Sequence, residues 1–222
     1  MERLICIVIG YAFGLLQTGF LMGKWNKIDI REHGSGNAGT TNAIRTLGWK
    51  FGAITFVGDC FKCVLAVVVV KAIYAGSMPQ ALPLLGLYAG VGAVLGHNFP
   101  FYLGFKGGKG VATSVGLLLS TNVVLGLIAI LVFGIVLYIT KYVSVGSMAL
   151  LATFAIGIIV YGETIGFDLA TMSMTYEMYA IGVGLFLMTV VRHKTNIVRL
   201  MNGTESKVGS KKKSVNDNNQ FI

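Results

Sequence analysis

Three segments of this 222-residue chain bring glycine, basic and hydrogen-bonding residues together at spacings suited to holding an anion. Residues 34–48 read G-S-G-N-A-G-T-T-N-A-I-R-T-L-G. Successive glycines let backbone N–H groups converge on a negative charge, because glycine enters positive φ without steric cost. Thr40, Thr41 and Asn42 suit the start of a short helix, whose N-terminus also favours an anion. Arg45 then adds a planar fork matched to phosphate. A second segment runs G-H-N-F-P-F-Y-L-G-F-K-G-G-K-G-V-A-T over 96–113. It is not a nucleotide-hydrolysing P-loop, which needs Ser or Thr directly after the lysine, whereas Gly110 follows Lys109. What remains is an anion cradle made of glycine amides, Lys106 and Lys109, while His97 and Asn98 either reach the anion or cap the helix before it. The third segment, R-H-K-T-N-I-V-R-L-M-N-G-T-E at 192–205, puts His193, Asn196 and Leu200 on one helical face.

The elements that must carry these segments are membrane helices. Hydrophobic residues make up 55% of the chain and charged residues 12%, against about 45–50% and about 25% in soluble domains. A chain this short cannot bury that much apolar surface in a soluble core. A bilayer core about 30 Å thick needs roughly 20 apolar helical residues. The runs 4–23, 51–75, 82–103, 111–140, 143–161 and 175–191 meet or approach that length. The first run is followed by Lys24, Lys27 and Arg31 and has no small-residue cleavage site, so it reads as an uncleaved span.

Basic residues set the orientation, because short loops rich in Lys and Arg stay in the cytoplasm. Fifteen of the 18 lie in four places: five in 24–50, two in 104–110, Lys141, and seven in 192–222. With six spans these segments would face opposite sides. A turn at Ser120-Thr121-Asn122 divides the run 111–140 into halves of roughly 15 residues, each about 22 Å long, and makes seven. The expected fold is therefore all-α, a polytopic integral membrane protein of seven transmembrane helices, two of them short, with the N-terminus outside and the C-terminus cytoplasmic. A membrane domain covers 1–203 and a polar basic tail covers 204–222. Lys71 is expected to snorkel outward. Asp59 and Lys62, three residues apart inside the second span, can pair, either to brace the loops or to meet substrate.

Cys6, Cys60 and Cys63 offer neither a disulfide framework nor a complete zinc site, and no metal or other cofactor is expected. The net charge of +9 reads as membrane topology plus an anion site rather than nucleic-acid binding. A transporter of phosphorylated metabolites would gather similar groups. It would also show internal repeats and place polar groups near the bilayer midplane, whereas here the polar motifs sit at span ends.

These three motifs in this order, together with D-C-F-K at 59–62 and K-Y-V-S at 141–144, resemble the bacterial membrane glycerol-3-phosphate acyltransferases of the PlsY type, from the first span to about residue 207. Cys63 departs from the glycine usual in that family after Asp-x-x-Lys. The resemblance implies a seven-helix enzyme of the bacterial inner membrane with its active site facing the cytoplasm. It implies transfer of a fatty acyl group from acyl phosphate to the 1-hydroxyl of glycerol 3-phosphate, giving lysophosphatidate and phosphate. The implied partners are those two substrates, membrane lipid and the enzyme that forms acyl phosphate. By matching positions it implies catalytic roles for Ser35, Arg45, Lys109 and His193. Binding roles fall to Gly36, Asn37, Thr41, Asn42, His97, Lys106, Gly107, Gly108 and Asn196. His193 handles the proton in this reading, unless a substrate phosphate does so. The H-x-x-x-x-D signature of other acyltransferases is absent, since Ala38, Tyr102 and Val198 stand five residues after the three histidines. No Ser-His-Asp triad is evident.

Overall fold

Apolar runs in lipid must satisfy their own backbone groups, and helices do so within one segment. The computed structural model describes residues 1–209, and every regular element among them is helical. In chain order these are α1 (Glu2–Gly14), α2 (Thr18–Trp25), α3 (Thr40–Leu47), α4 (Trp49–Tyr74), α5 (Leu82–Asn98), α6 (Val111–Thr121), α7 (Val123–Thr140), α8 (Val143–Thr164), α9 (Met172–Arg192) and α10 (Lys194–Met201). Six stretches are long and apolar enough to cross a bilayer: Glu2–Trp25, Trp49–Tyr74, Pro79–Leu103, Val123–Thr140, Val143–Thr164 and Met172–Arg192. The core lies between α4, α5, α6, α8 and α9, where Leu87, Leu117, Leu118, Leu150, Leu151, Phe154 and Met178 are almost fully buried. α7 leaves Leu127, Leu131 and Ile135 exposed, as suits a lipid-facing helix.

The long run 111–140 is broken at Asn122, whose extended backbone ends α6 and whose side chain accepts from the Leu125 amide at 3.1 Å to start α7. The halves are unequal, 11 and 18 residues. At 1.5 Å per residue α6 spans only about 16 Å, so its last carbonyls need partners inside the protein. Ser120 and Thr121 hydroxyls donate to the Gly116 and Leu117 carbonyls, and Lys71 donates to the Ser120 carbonyl at 3.0 Å. Lys71 therefore caps a neighbouring helix, where outward snorkelling was expected. An acceptor was within reach, and donating to it removes an orphan carbonyl.

The first apolar run is also broken, which its hydropathy does not announce. Between α1 and α2, Gln17 is fully buried and its amide nitrogen lies 3.1–3.3 Å from the carbonyls of Gly14, Gly96 and His97. Tyr102 donates to the Leu15 carbonyl at 2.7 Å, and Lys62 donates to that of Leu16. The Gly14, Leu15 and Leu16 carbonyls at the break are thus each met by a side chain, two of them from other helices or loops.

α1 and α5 meet backbone to backbone, the small-residue contact that substitutes for hydrophobic driving force in lipid. A Cβ at Gly10 would run into the Ala89 carbonyl, and one at Gly92 into the Ile7 carbonyl. At the end of the bundle away from the motifs, Arg3 makes two hydrogen bonds to Glu177 at 2.6 and 2.7 Å, and Tyr88 adds a third at 2.9 Å, tying α1, α5 and α9.

Gly92→Val should force α1 from α5 at an overpacking cost of about 1–3 kcal/mol or more. At roughly 2–4 °C per kcal/mol for a chain of this size, a fluorescence melt in detergent should show a clear drop in midpoint. Gly134→Val, at a position with nothing near a Cβ, should leave it unchanged.

Candidate active site

The three glycine-rich or basic segments come together at one end of the bundle around a cavity of about 500 Å³. Ser35, Gly36, Asn37, Thr41, Asn42, Arg45, His97, Lys109, His193 and Asn196 all line it. A second space of about 910 Å³ adjoins it and shares Ser35, Arg45, Arg199 and Glu205 with it.

The loop before α3 is organised by Asn42. Its side chain is buried, donates to the carbonyls of Ile30 (2.9 Å) and His33 (3.0 Å), and accepts from the Ser35 amide at 2.8 Å. With all those valences engaged, Asn42 shapes the loop that presents Ser35. Gly34 must be glycine here, since φ is +63° and a Cβ would collide with Asn42 Oδ1. Asn37 closes a local turn by accepting from the Gly39 amide at 2.9 Å. Arg45 on α3 has an exposed guanidinium that makes no hydrogen bond to the protein, and it borders both spaces.

The second segment divides. Lys109 points inward, donates to Asn196 Oδ1 and is more than half buried. Lys106 is exposed, Gly107 is half-buried and Gly108 is buried, and none of the three is in the cavity lining. The amides of Gly107 and Gly108 are already engaged by the carbonyls of Asn98 (3.3 Å) and His97 (3.1 Å), so they are not free to hold an anion. Their carbonyls in turn accept from Arg192 at 3.3 and 2.6 Å. The cradle is formed instead by the start of α6, where Gly110 at φ +78° caps the helix and Val111 and Ala112 line the cavity. This is a helix N-terminus facing the basic cluster.

The third segment supplies the titratable centre. His193 lies 97% buried at the end of α9 with Nδ1 2.8 Å from the Thr189 carbonyl. A carbonyl only accepts, so Nδ1 carries the hydrogen and Nε2 keeps its lone pair. Burial, followed by the nearby Lys109 charge, lowers its pKa to about 4 and keeps it neutral near pH 7. Lys109 is lowered to about 8, first by burial and then by Arg199, with Arg192 and Arg45 adding to the effect against Glu205. Four cations gathered around one carboxylate make a site of net positive charge suited to an anion.

That carboxylate was not among the expected site residues. Glu205 accepts from Asn196 (2.6 Å), Arg199 (2.6 Å) and Ser144 (3.1 Å). Burial pushes its pKa up, and those hydrogen bonds more than reverse this and hold it below the usual carboxylate value. Asn196 is thereby fixed between Lys109 and Glu205. The segment after 203, expected to begin a tail, is docked at its start: besides Glu205, the Val208 amide donates to the Lys141 carbonyl at 2.9 Å. The rest of that tail from residue 210, including Lys211–Lys213, lies outside the described residues. Arg192, Arg199 and Ser144 also line the cavity. All three stood inside the quoted motifs, but motif membership alone did not separate them from membrane-edge anchors.

Behind the cavity, Asp59 and Lys62 pair at 2.9 Å, both at least 97% buried, and Asp59 lies on the cavity wall beside His97. The lining also includes the apolar residues Phe56, Phe99, Val111, Ala112, Phe133, Val143 and Val191. A cationic pocket that also has apolar residues in its lining fits a phosphate bearing a lipid chain.

The comparisons with known proteins agree with this geometry. The family model for glycerol-3-phosphate acyltransferase matches residues 4–203. A glycerol-3-phosphate acyltransferase of Clostridioides difficile (strain 630) is 42% identical, the match covering 94% of this chain and 97% of that protein. One of Acholeplasma laidlawii is 39% identical, covering 94% of each. The crystal structure of PlsY (YgiH), an integral membrane glycerol 3-phosphate acyltransferase, in its glycerol 3-phosphate form superimposes with a TM-score of 0.80 at 27% identity, covering 94% of this chain and 96% of that one. Its lysophosphatidic acid form gives 0.77 at 28% identity. A membrane helix bundle with an anion pocket at one end, matched along nearly its whole length, belongs to the glycerol-3-phosphate acyltransferase family.

Proposed function

We propose that this chain transfers a fatty acyl group from acyl phosphate to the 1-hydroxyl of sn-glycerol 3-phosphate, giving lysophosphatidate and phosphate, at the cytoplasmic face of a bacterial inner membrane. This is the first step of phospholipid synthesis. The observation that carries the reading is the juxtaposition of Lys109, Arg45, Arg192 and Arg199 with the free Nε2 of His193 and with apolar residues in the lining of one cavity. Two phosphate-bearing substrates need a cationic pocket, and one needs room for an acyl tail. The glycerol 3-phosphate and lysophosphatidic acid forms of the related PlsY support the same pair of ligands here. The rival reading, a transporter, has no support in the placement of these groups at one end of the bundle.

Acyl phosphate is an activated mixed anhydride, so the protein has mainly to position the hydroxyl and neutralise charge. In this reading Ser35, Arg45, Lys109 and Asn196 hold glycerol 3-phosphate. The hydroxyl oxygen bonds to the acyl carbon while its proton passes to His193 Nε2. The bond from the acyl carbon to the phosphate oxygen breaks, its electron pair leaving on phosphate, whose growing charge faces the basic cluster and the first amides of α6. The acyl-phosphate-forming enzyme and membrane lipid are the expected partners, and no cofactor enters the scheme.

For topology we read α6 as a short seventh crossing. All the segments that build the cavity then lie on one side, and those segments carry most of the basic residues. In this reading 1–203 forms the membrane domain, with the docked residues through 208 completing its cytoplasmic face.

Purified enzyme given glycerol 3-phosphate should form lysophosphatidate and release phosphate with acyl phosphate, and should be inactive with acyl-CoA or acyl carrier protein as sole donor. Activity with the thioesters alone would refute the donor assignment. For pH, Lys109 binds phosphate only as the ammonium, so its charge is present below about pH 8 and lost above it. kcat/KM for glycerol 3-phosphate should therefore fall above about pH 8, and Lys109→Arg should move that limb upward. On the topology, Ser77→Cys and Ser173→Cys should both react with an impermeant thiol reagent in intact cells. With six crossings only one of the two would.

A further inference from the structure

The glycine loop between α5 and α6 is gripped from two sides. On one side the Gly107 and Gly108 amides donate to the Asn98 and His97 carbonyls at the end of α5, at 3.3 and 3.1 Å. On the other, Arg192 Nη2 donates to the carbonyls of the same two glycines, at 3.3 and 2.6 Å. That nitrogen carries two hydrogens in the plane of the guanidinium, so one NH2 group serves both carbonyls. Arg192 is itself held in place: its guanidinium lies over the Phe99 ring, 5.0 Å from the centroid, and its Nε is buried. Phe99 caps the end of α5, and Arg192 is the last residue of α9.

This use of Nη2 separates Arg192 from Arg45. A two-pronged grip on phosphate takes two adjacent N–H groups on one edge of the fork. Nη2 belongs to both such edges, and in Arg192 both of its hydrogens are given to the loop, whereas Arg45 is exposed and keeps its whole fork for an anion. The tie also has a place in the site because of what stands next in the chain. Lys109 follows Gly108, and His193 follows Arg192. A second tie, from Lys109 to Asn196 Oδ1, joins the same two segments.

We propose that Arg192 is a positioning residue: by holding residues 107–108 to the end of α9 it sets Lys109 against His193, and it does not itself grip the substrate phosphate. The roles of Lys109 as phosphate ligand and His193 as proton acceptor rest on the acyl-transfer reading, while the tie rests on the geometry alone. A lysine in place of Arg192 would keep the charge and lose both the stacking face and the planar fork.

The test is a double-mutant cycle in the full-length chain in lipid nanodiscs: wild type, Arg192→Lys, Lys109→Met and the pair. It is scored on kcat/KM for glycerol 3-phosphate and on the Kd of inorganic phosphate. Arg192→Lys is expected to lose roughly tenfold to a hundredfold, the worth of a hydrogen bond to a charged group. In the Lys109→Met background the same change should cost less than about threefold, because a residue acting through Lys109 has nothing left to position. Full activity in Arg192→Lys overturns the proposal, since charge alone then suffices. Losses that multiply across the cycle also overturn it, since Arg192 then meets the phosphate itself.

The alkaline limb gives a second readout. Lys109 is faced by Arg45 from α3, Arg192 from α9, Arg199 from α10, Glu205 and the neutral His193, and burial is the main cause of its low pKa. Arg192→Lys keeps every one of those charges. A limb that moves up from about pH 8 therefore reports a Lys109 released toward water, and an unmoved limb refutes the proposal. If Arg192→Lys does not fold, Phe99→Leu decides. It removes the ring under the guanidinium without altering a charge, and the same upward movement is expected, with an unmoved limb counting against the tie. The phosphate Kd needs no turnover, so the cycle is read even if the chain transfers no acyl group, and the two failures are distinguishable.

Discussion

A charge buried among membrane helices must find every partner inside the protein, and Lys62 is where this constraint is most severe. Its ammonium is shared between a carboxylate on its own helix, a carbonyl released where α1 gives way to α2, and a histidine at the end of α5. Leaving such a charge unpaired is among the costliest errors a fold can make, and the ammonium has three acceptors in reach, while Asp59 Oδ2 and Gln17 Oε1 beside it have no partner among the described residues. The break in the first span, the placement of Gln17 across it and the end of α5 depend on one another through this node. Of this node, Asp59 and His97 line the cavity.

The same rule shapes the rim with the opposite sign. Lys109, Arg45, Arg192 and Arg199 crowd together with only Glu205 to offset them, and the depressed Lys109 pKa of about 8 is the electrostatic consequence. A soluble surface would disperse such charges. Here Glu205 pins Arg199 and Asn196, and the guanidinium of Arg45 is left without a partner. Charge held in this unsatisfied state is preorganised for a phosphate, because little rearrangement is needed when the anion arrives.

Glycine serves two ends that composition cannot tell apart. Along α1 and α5 it removes side chains so that backbones touch. In the loops it permits positive φ at Gly34 and Gly110 and lets the Gly108 backbone pack against the ring of His97. The expected use of the Gly107 and Gly108 amides as anion donors is not what the fold adopts, since both amides are bound to carbonyls at the end of α5. The loop is held in place by those bonds, and the anion-facing amides come from the next helix.

Composition and motif spacing determined that the chain is a helical membrane protein, that 34–48, 96–113 and 192–205 lie at the ends of spans on one side, and that the run 111–140 divides near Asn122. These follow from hydropathy and from residue types whose chemistry is local. Tertiary structure decided what depends on partners distant in sequence: the break at Gln17, the capping of α6 by Lys71, the docking of Glu205 and the separation of Lys106 from Lys109. A polar side chain in lipid is placed by whichever orphan group lies within its reach, and that group belongs to another helix. The identity of a residue states what it can donate or accept, while only the packed bundle states to whom.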